Sequence, residues 1–340
     1  MGVDIGSLFR KETITFDDLQ GRIIVIDAYN VLHQFLASIR QRDGTPLKDS
    51  RGKITSHLTG IFHRTASLIE AHIKPVYSFD GTPPPLKAQT LEKRKQRKIK
   101  AEKEYQIALE KGDLKTARSK AQQTGRLTKE MIQETKQLLS ALGIPYVQAP
   151  GEGEAQACHM VKKGDAFAVG SQDYDCLLVG SPITIRNLTS SGKRKLPGKE
   201  AYKKVSIRQI RLNENLEQLE ICQEQLVDMA ILIGTDFNSG IHGIGPKRSL
   251  SLIKKHETIE NVLDQLIIKN KPDQKNIDII RNIFLNPEVD ESYELSWNLP
   301  DEKEVIEILC NRHQFSKTRA METLKKYDNQ EKSTKQETLF

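Results

Sequence analysis

Apolar residues form two kinds of run along the first half of the chain. Short continuous runs, typical of buried strands, occur at Arg22–Ile26 and in the stretches KPVYSF, IPYV and DAFAV. Between them lie amphipathic segments with helical spacing, of which SHLTGIFHRTASLIEAH is the clearest. Strands that alternate with helices predict an α/β fold with a central, mostly parallel sheet and helices on both faces.

The second half of the chain has a different pattern. From Cys222 onward the apolar spacing is helical, and GIHGIGPKRSLSLIKKH supplies a glycine-rich turn inside that region. The final stretch Lys325–Phe340 is polar and has no apolar period. It predicts a loose tail, with a folded core over about residues 1–325 and a flexible remainder over 326–340.

Composition narrows the class of protein. No apolar run is long enough to span a membrane, and the N-terminus lacks the profile of a secretory signal. The four cysteines form no CxxC pair, so neither a zinc site nor a disulfide framework is indicated, and we expect a reducing, cytoplasmic location. The net charge of +7 suggests an anionic partner, with nucleic acid first, although a basic protein without such a partner is an equal alternative.

One segment concentrates the positive charge. From Lys87 to Lys103 the chain carries eight basic residues against two acidic ones, in a stretch of good helix formers with few apolar residues. Most such runs are solvated helices. Because this one has little to anchor it to a core, we expect a projecting basic helix that suits a polyanion.

Acidic residues recur at one structural position. Asp27 and Asp80 fall at the ends of predicted strands, and Asp173 with Asp175 follows another. In an open α/β sheet, ligands bind at the carboxyl ends of the strands. Any one of these acids alone would more simply be a helix cap or a loop residue. Convergence of the full set favours a site, and that set is Asp27, Asp80, Glu152, Glu154, Asp173, Asp175 and Asp236.

The chemistry of this set indicates the ions that it would hold. No histidine or cysteine accompanies the acids, which disfavours soft metals and suits Mg²⁺ or Mn²⁺. Two such ions, roughly 3.5–4 Å apart, can activate water for phosphodiester hydrolysis. Lys87 and Arg94 are seven residues apart, so a helix places them on one face, from which they could reach a phosphate. As ordinary surface residues they would need no such role.

With these residues taken together, the chain resembles the flap endonucleases, structure-specific 5′ nucleases of replication and repair. The resemblance covers about residues 1–325 and rests on MGV, VIDAYN, RGKITSHLTGIFHRT, KPVYSFDGTPPPLK, APGEGEAQA, SQDYDCLL and GTDFNSGIHGIGPKR in combination. It implies a PIN-like 5′ nuclease fold and a 5′-flap endonuclease with 5′→3′ exonuclease activity, acting in Okazaki fragment maturation and repair. The short tail resembles archaeal members, for which a nucleoid-associated location is expected.

The resemblance also implies roles for individual residues. The seven acids would bind two Mg²⁺ ions, for which Mn²⁺ can substitute, and Lys87 and Arg94 would act on the scissile phosphate from a helical arch over about residues 84–125. A helix-two-turn-helix element over about residues 226–256 would hold K⁺ through the main-chain oxygens of Ile241 and Ile244. Gly240 stands where some relatives carry a serine ligand for that ion. The residues that would contact DNA are Gly2, His33, Gly243, Gly245, Lys247 and Arg248.

Two features depart from the family pattern. His33 stands where relatives usually carry a tyrosine that stacks on a base, and its charge is expected to titrate near neutrality. The tail KQETLF begins like the motif that binds the sliding clamp (PCNA), with Gln336, Leu339 and Phe340, and lacks the usual terminal aromatic pair. The expected partners are therefore a branched DNA with a 5′ flap and, more weakly, the clamp. We expect a monomer and no membrane.

Three rival functions fit the same residues less well. A ribonuclease of the PIN type shares an acidic crevice but lacks the long basic segment and the GIGPK turn. A non-catalytic DNA-binding scaffold would be expected to have lost acids from the set, and all of them are present. A phosphatase of the HAD type is disfavoured because VIDAYN lacks the second aspartate of the D-x-D nucleophile motif.

Overall fold

The fold is built on one twisted sheet, seen in a computed structural model that describes residues 2–189, 193–195, 202–266 and 271–327, with only the backbone of 193–195 and 202–204. Within these residues the strands are β1 Glu12–Ile14, β2 Ile23–Asp27, β3 Lys74–Phe79, β4 Tyr146–Gln148, β5 Ala168–Gly170, β6 Ile183–Arg186, β7 Lys193–Lys195, β8 Tyr202–Lys204 and β9 Ile207–Arg211. Seven of them form the main sheet in the order β1-β9-β6-β5-β2-β3-β4, and β7 pairs with β8 as a separate ribbon.

The centre of the sheet is parallel. Strand β2 pairs in parallel with both β3 and β5, so that Val25 lies between Val76 and Val169. Strands β4 and β6 extend this parallel block on its two sides. At one side of the main sheet, β9 runs antiparallel to both of its neighbours, β6 and β1. The α/β class and the mostly parallel sheet are therefore confirmed.

Helices surround the sheet. They are α1 Ala28–Ser38, α2 Ser56–Glu70, α3 Ala88–Glu110, α4 Leu114–Ala121, α5 Lys129–Ala141, α6 Gly153–Lys163, α7 Asp175–Leu178, α8 Leu212–Leu219, α9 Gln223–Ile233, α10 Pro246–His256, α11 Ile259–Gln265, α12 Gln274–Leu285, α13 Glu302–Ile306 and α14 Lys317–Leu324. Short 3₁₀ helices lie at Asp17–Leu19 and Pro85–Lys87, and a π-helical turn at Glu307–Arg312. Among the described helices, none combines the length and the apolar character that a membrane crossing requires.

Two apolar cores lie on opposite faces of the sheet. Alternate residues of a strand point to opposite faces, so Val25 joins the core with α6 and α9, whereas Ile24 and Ile26 join the core with α1, α2 and α5. Because both faces are covered, the central strands are continuous apolar runs rather than alternating ones. This is the pattern that made them recognisable in the sequence.

The basic segment forms two helices that stand apart from both cores. Helix α3 buries only Ala101, Tyr105 and Ala108, and α4 packs against it through a small apolar cluster of its own. The break between them falls at Gly112, which has a φ of +67°. Both helices lie within residues 84–125, where a projecting helical arch was predicted, and we call α3 and α4 the arch helices.

The glycine-rich turn in the second half joins two helices that pack together. Helix α9 ends at Ile233 and α10 begins at Pro246, and their contact is extensive. Arg281 of α12 ties this unit together, because it donates to Asp228 of α9 and to Glu260 of α11. The helix-two-turn-helix element predicted over residues 226–256 falls on these two helices and their connecting loop, and its assignment stays a prediction.

The folded core extends slightly beyond its predicted end. Tyr327 is fully buried, its ring stacks on Phe62 with centroids 6.4 Å apart, and its hydroxyl donates to the Phe62 carbonyl oxygen at 3.1 Å. The prediction of a loose tail from Lys325 onward is therefore wrong for its first residues. The burial of Tyr327 could not be predicted from the sequence, because its neighbours are polar and a single aromatic residue gives no helical or strand periodicity. The rest of the predicted tail lies outside the described residues.

We expect Tyr327→Ala to lower the free energy of unfolding by about 3–5 kcal/mol, as for other buried aromatic side chains. Urea unfolding followed by circular dichroism measures this change. Leu114→Ala is the matched control, because 57% of the Leu114 surface is already exposed; its effect should stay within about 0.5 kcal/mol. Equal stabilities of the Tyr327 and Leu114 variants would show that the C-terminal segment does not anchor the core.

Candidate active site

Seven acidic side chains meet at the carboxyl edge of the parallel strands. Asp27 is the last residue of β2, and Asp80 directly follows β3. Asp173 and Asp175 lie in the turn after β5, where Asp175 begins α7. The other three come from helix ends: Glu152 and Glu154 at the start of α6, and Asp236 just after α9. The chain thus brings all the predicted acids to one crevice.

Backbone groups fix three of these carboxylates. The Asn30 N–H donates to Asp27 Oδ1 at 3.0 Å, so Asp27 also caps helix α1. The Gly153 N–H donates to Asp80 Oδ1 at 2.7 Å, and the Val3 N–H donates to Asp175 Oδ1 at 2.9 Å. Asp27 can therefore act both as a helix cap and as a candidate metal ligand, because Oδ1 accepts from the helix and Oδ2 remains for an ion.

Side chains fix two more. The Asn30 amide donates to Asp173 Oδ2 at 3.0 Å, and the Ser171 hydroxyl donates to Glu154 Oε1 at 2.7 Å. Neither Asn30 nor Ser171 is among the predicted site residues. Their positions, three residues after Asp27 and two before Asp173, were the signal that could have pointed to them.

The crowding of these acids perturbs their protonation. Desolvation and then the charge of Asp80 raise the pKa of Asp27 to about 8, and desolvation with the charge of Glu152 raises the pKa of Asp80 to about 6. Burial and the nearby Asp173 raise the pKa of Asp175 to about 6. Each shift has the same origin, since a carboxylate near other carboxylates and away from water resists ionisation. Such a site calls for positive charge.

Two cations from the arch supply part of that charge. The Lys87 ammonium donates to Glu152 and lies 3.9 Å from Asp236, and Arg94 Nη2 lies 2.5 and 2.7 Å from the two Asp236 oxygens. Desolvation lowers the pKa of Lys87, but Glu152, Asp80 and Asp236 together outweigh it, so the pKa is raised. Both side chains therefore lie at the crevice, Lys87 from the 3₁₀ turn before α3 and Arg94 from α3 itself.

The root of the arch is joined to the loop that carries Glu152. The Gly81 N–H donates to the Gly151 carbonyl oxygen at 2.6 Å, and the Thr82 N–H donates to the Pro150 carbonyl oxygen at 3.0 Å. A Cβ on Gly81 would lie 2.2 Å from the Pro150 oxygen, so only glycine allows this approach. The segments on either side of the crevice mouth thus share a backbone contact.

The donor set fits hard divalent cations. The acids offer only oxygen ligands, their burial disfavours the bare negative charge, and neutral donors orient several of them. In the part of the chain that the structure describes, no three acidic, histidine or cysteine side chains converge closely enough to hold a metal ion by themselves. An open arrangement of this kind suits ions that complete their coordination with water and phosphate.

The N-terminus forms one wall of the crevice. A Cβ built on Gly2 would lie 2.0 Å from Asp175 Oδ1, so any side chain there would collide with a candidate ligand. Next to it, the Val3 N–H donates to that same oxygen. Gly2, predicted to contact DNA, therefore lies directly against the acidic site.

The loop between α9 and α10 presents backbone and positive charge to solvent. Lys247 and Arg248 are exposed in the first turn of α10, beside exposed Gly243 and half-buried Gly245. Gly240 has a φ of +66° and packs tightly against the Ile233 carbonyl, so a side chain there is excluded. The predicted main-chain ligands for K⁺ lie in the same loop, where the Ile241 carbonyl accepts from the Ile244 N–H at 3.0 Å. K⁺ binding there stays a prediction.

His33 lies on α1 within the electrostatic reach of helix α3. Although part of its surface is exposed, desolvation and the positive charges of Lys98 and Arg94 lower its pKa to about 4. The expectation that His33 titrates near neutrality is therefore wrong. The reason is tertiary, because the cations that disfavour the imidazolium lie more than 60 residues further along the chain.

The fold and the crevice together define an α/β nuclease of the XPG class. Sequence profiles described as the XPG N-terminal domain and the XPG I-region match residues 7–101 and 143–236. The fold is shared with the catalytic core of Rad2 in complex with DNA substrate, at 23% identity and a TM-score of 0.69, over 94% of this chain and 96% of that one.

Relatives of higher identity narrow the class to one family. Flap endonuclease 1 of Methanosarcina acetivorans is 49% identical over 94% of this chain and 93% of its own length. That of Pyrococcus furiosus is 46% identical over 100% and 98%. The solved flap endonuclease-1 from Methanococcus jannaschii matches with a TM-score of 0.76 and 42% identity, over 96% of this chain and 98% of that one. The chain belongs to the flap endonuclease family.

We expect Asp27→Asn to raise the melting temperature of the protein in EDTA at pH 8. Asparagine caps a helix about as well as aspartate, so the substitution keeps the cap on α1 and removes a repelled carboxylate. Differential scanning calorimetry measures the change. Asp113→Asn is the control, because Asp113 caps the exposed start of α4 away from the crevice. A lower melting temperature for Asp27→Asn than for wild type would contradict the assigned repulsion.

We expect DNA affinity to show no inflection from His33 between pH 5.5 and 8. The lowered pKa favours the neutral imidazole throughout that interval, and the ring gains a proton only on acidification toward pH 4. Fluorescence anisotropy with wild type and His33→Phe tests this, and the two pH profiles should run parallel. A step in the wild-type profile near pH 6.5 that the variant lacks would refute it.

Proposed function

We propose that this flap endonuclease cleaves the 5′ flap of branched DNA during replication and repair, by metal-dependent hydrolysis of a phosphodiester. The observation that carries the proposal is the meeting of seven carboxylates with the two arch cations Lys87 and Arg94 at one sheet edge. A site of high negative charge repels DNA unless cations lie between them. Family membership supports the same reaction and the same substrate.

The seven acids would hold Mg²⁺, or Mn²⁺ in its place. When bound, two such ions activate water and stabilise the leaving oxygen in phosphodiester hydrolysis. The protein's own contribution is a half-buried cup of carboxylates from three strand ends and two helix ends. Their donors on rigid elements keep them oriented before any substrate arrives.

Lys87 and Arg94 would contact the scissile phosphate from above. Only 13% of the Lys87 side chain and 33% of the Arg94 side chain are exposed, so both charges sit close to the crevice rather than in bulk solvent. Lysine offers a compact point charge, whereas the guanidinium of arginine offers a planar fork that matches phosphate oxygens. Together they would orient the phosphate and stabilise charge that develops on it.

Contacts away from the crevice would hold the rest of the DNA. The arch helices carry the densest positive charge, and the loop before α10 offers Gly243, Gly245, Lys247 and Arg248 to a duplex backbone. Cations in the arch would attract the flap, and the loop, with K⁺ bound, would hold duplex phosphates. Because phosphate contacts release counterions, binding should weaken steeply with salt.

Two finer activities follow from the same family. A 5′→3′ exonuclease activity would use the same crevice on a recessed or nicked 5′ end. The sliding clamp would bind Gln336, Leu339 and Phe340, which lie outside the described residues. The rival readings fit less well: a ribonuclease of the PIN type lacks the arch and the α9–α10 loop, and a scaffold would not retain all seven acids.

A labelled double-flap DNA tests the proposal directly. We expect one dominant 5′-flap product in Mg²⁺, no product in EDTA, and no cleavage of the 3′-flapped strand. Asp173→Asn and Asp175→Asn should lower the single-turnover rate by about 10³-fold or more, since each removes a charged metal ligand. Flap binding should remain measurable by anisotropy in both variants.

The control variant is Asp264→Asn, which removes an acidic side chain on α11, outside the crevice. It should cleave at the wild-type rate. Cleavage close to the wild-type rate in both Asp173→Asn and Asp175→Asn would refute the metal assignment. Wild-type binding to the flap without cleavage in Mg²⁺ and in Mn²⁺ would favour a scaffold.

A further inference from the structure

The carboxylates of the crevice fall into two groups by the partners that hold them. Glu152 and Asp236 pair with the arch cations. The other five accept hydrogen bonds from neutral donors on the body of the protein, three from backbone N–H groups and two from side chains. The two side-chain donors, Ser171 and Asn30, can be removed by substitution, so their contribution is open to measurement.

Ser171 joins two of the acids through one hydroxyl. Its Oγ donates to Glu154 Oε1 at 2.7 Å and accepts from the Asp173 N–H at 3.1 Å. The residue is 3% exposed, and its own N–H donates to the Ile185 carbonyl oxygen on β6 at 3.2 Å. A buried hydroxyl on a backbone fixed to the sheet thus ties the start of α6 to the turn after β5.

Asn30 makes a second link of the same kind. Its amide donates to Asp173 Oδ2 at 3.0 Å, while its N–H donates to Asp27 Oδ1. Because it lies in the first turn of α1, its position is set by the helix that Asp27 caps. Asp173 is therefore held on both sides, through its backbone by Ser171 and through its carboxylate by Asn30.

We propose that Ser171 and Asn30 are positioning residues that set the affinity of the crevice for divalent cations by fixing the orientation of Glu154 and Asp173. The inference rests on the proposed function, since it assumes that these acids hold the ions. A carboxylate that rotates freely must be ordered when an ion binds, and a fixed donor removes part of that cost. Both donors are neutral, so they orient the acids without offsetting the negative charge that attracts the ion.

The consequence is specific to cation binding. The Ser171 hydroxyl and the Asn30 amide both donate to acids of the crevice, and neither side chain carries charge. Loss of either donor should therefore weaken ion binding and leave the maximal cleavage rate, reached once ions are bound, largely intact. A residue with a merely structural role would instead change stability without changing ion affinity.

Isothermal titration of the full chain with Mn²⁺, without DNA, tests the inference independently of activity. Ser171→Ala and Asn30→Ala should each weaken Mn²⁺ binding about 10-fold, the usual effect of losing a residue that orients a metal ligand. Asn30→Ala keeps the backbone N–H that donates to the capping carboxylate of Asp27, so α1 should remain intact. Ser171→Thr retains the hydroxyl and should restore the affinity.

Ser56→Ala is the matched control. Ser56 is fully buried, and its hydroxyl donates to the Ile39 carbonyl oxygen at 2.8 Å. Its hydroxyl makes no hydrogen bond to any of the seven acids in the described structure. It should lose stability like Ser171→Ala but bind Mn²⁺ as wild type does. Cleavage by Ser171→Ala and Asn30→Ala, measured against Mn²⁺ concentration, should shift to higher concentration and approach the wild-type plateau.

Two outcomes would overturn the inference, and they differ from failure of the proposed function. Wild-type Mn²⁺ affinity in folded Ser171→Ala and Asn30→Ala would show that neither donor positions a ligand. An unchanged affinity with a lowered plateau would assign them to another step. If the wild-type protein itself neither binds Mn²⁺ nor cleaves the flap, the proposed function fails first, and the inference with it.

Discussion

Mutual repulsion among carboxylates at one sheet edge is the constraint on which the rest of the structure depends. Placing Asp27, Asp80 and Asp175 together out of water raises the pKa of each, first through desolvation and then through the neighbouring carboxylates, so their joint ionisation is unfavourable. The same concentration of negative charge attracts cations, as the pairing of Lys87 with Glu152 and of Arg94 with Asp236 shows. Burial of apolar side chains in two cores, one on each face of the sheet, stabilises the fold and offsets the unfavourable free energy of the crowded acids.

The parallel sheet explains how residues distant in sequence come to share this constraint. Each parallel strand ends at the same edge, so Asp27, Asp80 and Asp173 need only follow three neighbouring strands to meet. The helices that return the chain then add the α6 acids and the segment after α9. Positive charge comes from an insertion between β3 and β4, which places the arch directly over the acids that it partly neutralises.

Features that depend on residues close together in the sequence could be predicted, whereas features that depend on tertiary contacts could not. Buried parallel strands leave continuous apolar runs, so β2, β3 and β5 and the acids behind them were recognisable, as was the basic arch. Strands β1, β6 and β9 were missed, because each has only three to five residues and mixes polar with apolar side chains. Ser171 and Asn30 were missed because a small neutral side chain does not by itself indicate a role, and only their spacing from Asp173 and Asp27 could have pointed to them. The low pKa of His33 depends on α3 and could not be read from α1.

The backbone hydrogen bonds between Gly81–Thr82 and Pro150–Gly151 connect the start of the arch directly to the loop that carries Glu152. Three consecutive prolines, Pro83 to Pro85, follow it and stiffen the path to Lys87. The connection from that contact to Lys87 is therefore short and conformationally restricted, and it begins at the loop that ends in Glu152. Length changes in this connection would misalign both sides of the crevice at once, whereas changes near Gly112, at the far end of the arch, would leave the alignment of the charges untouched.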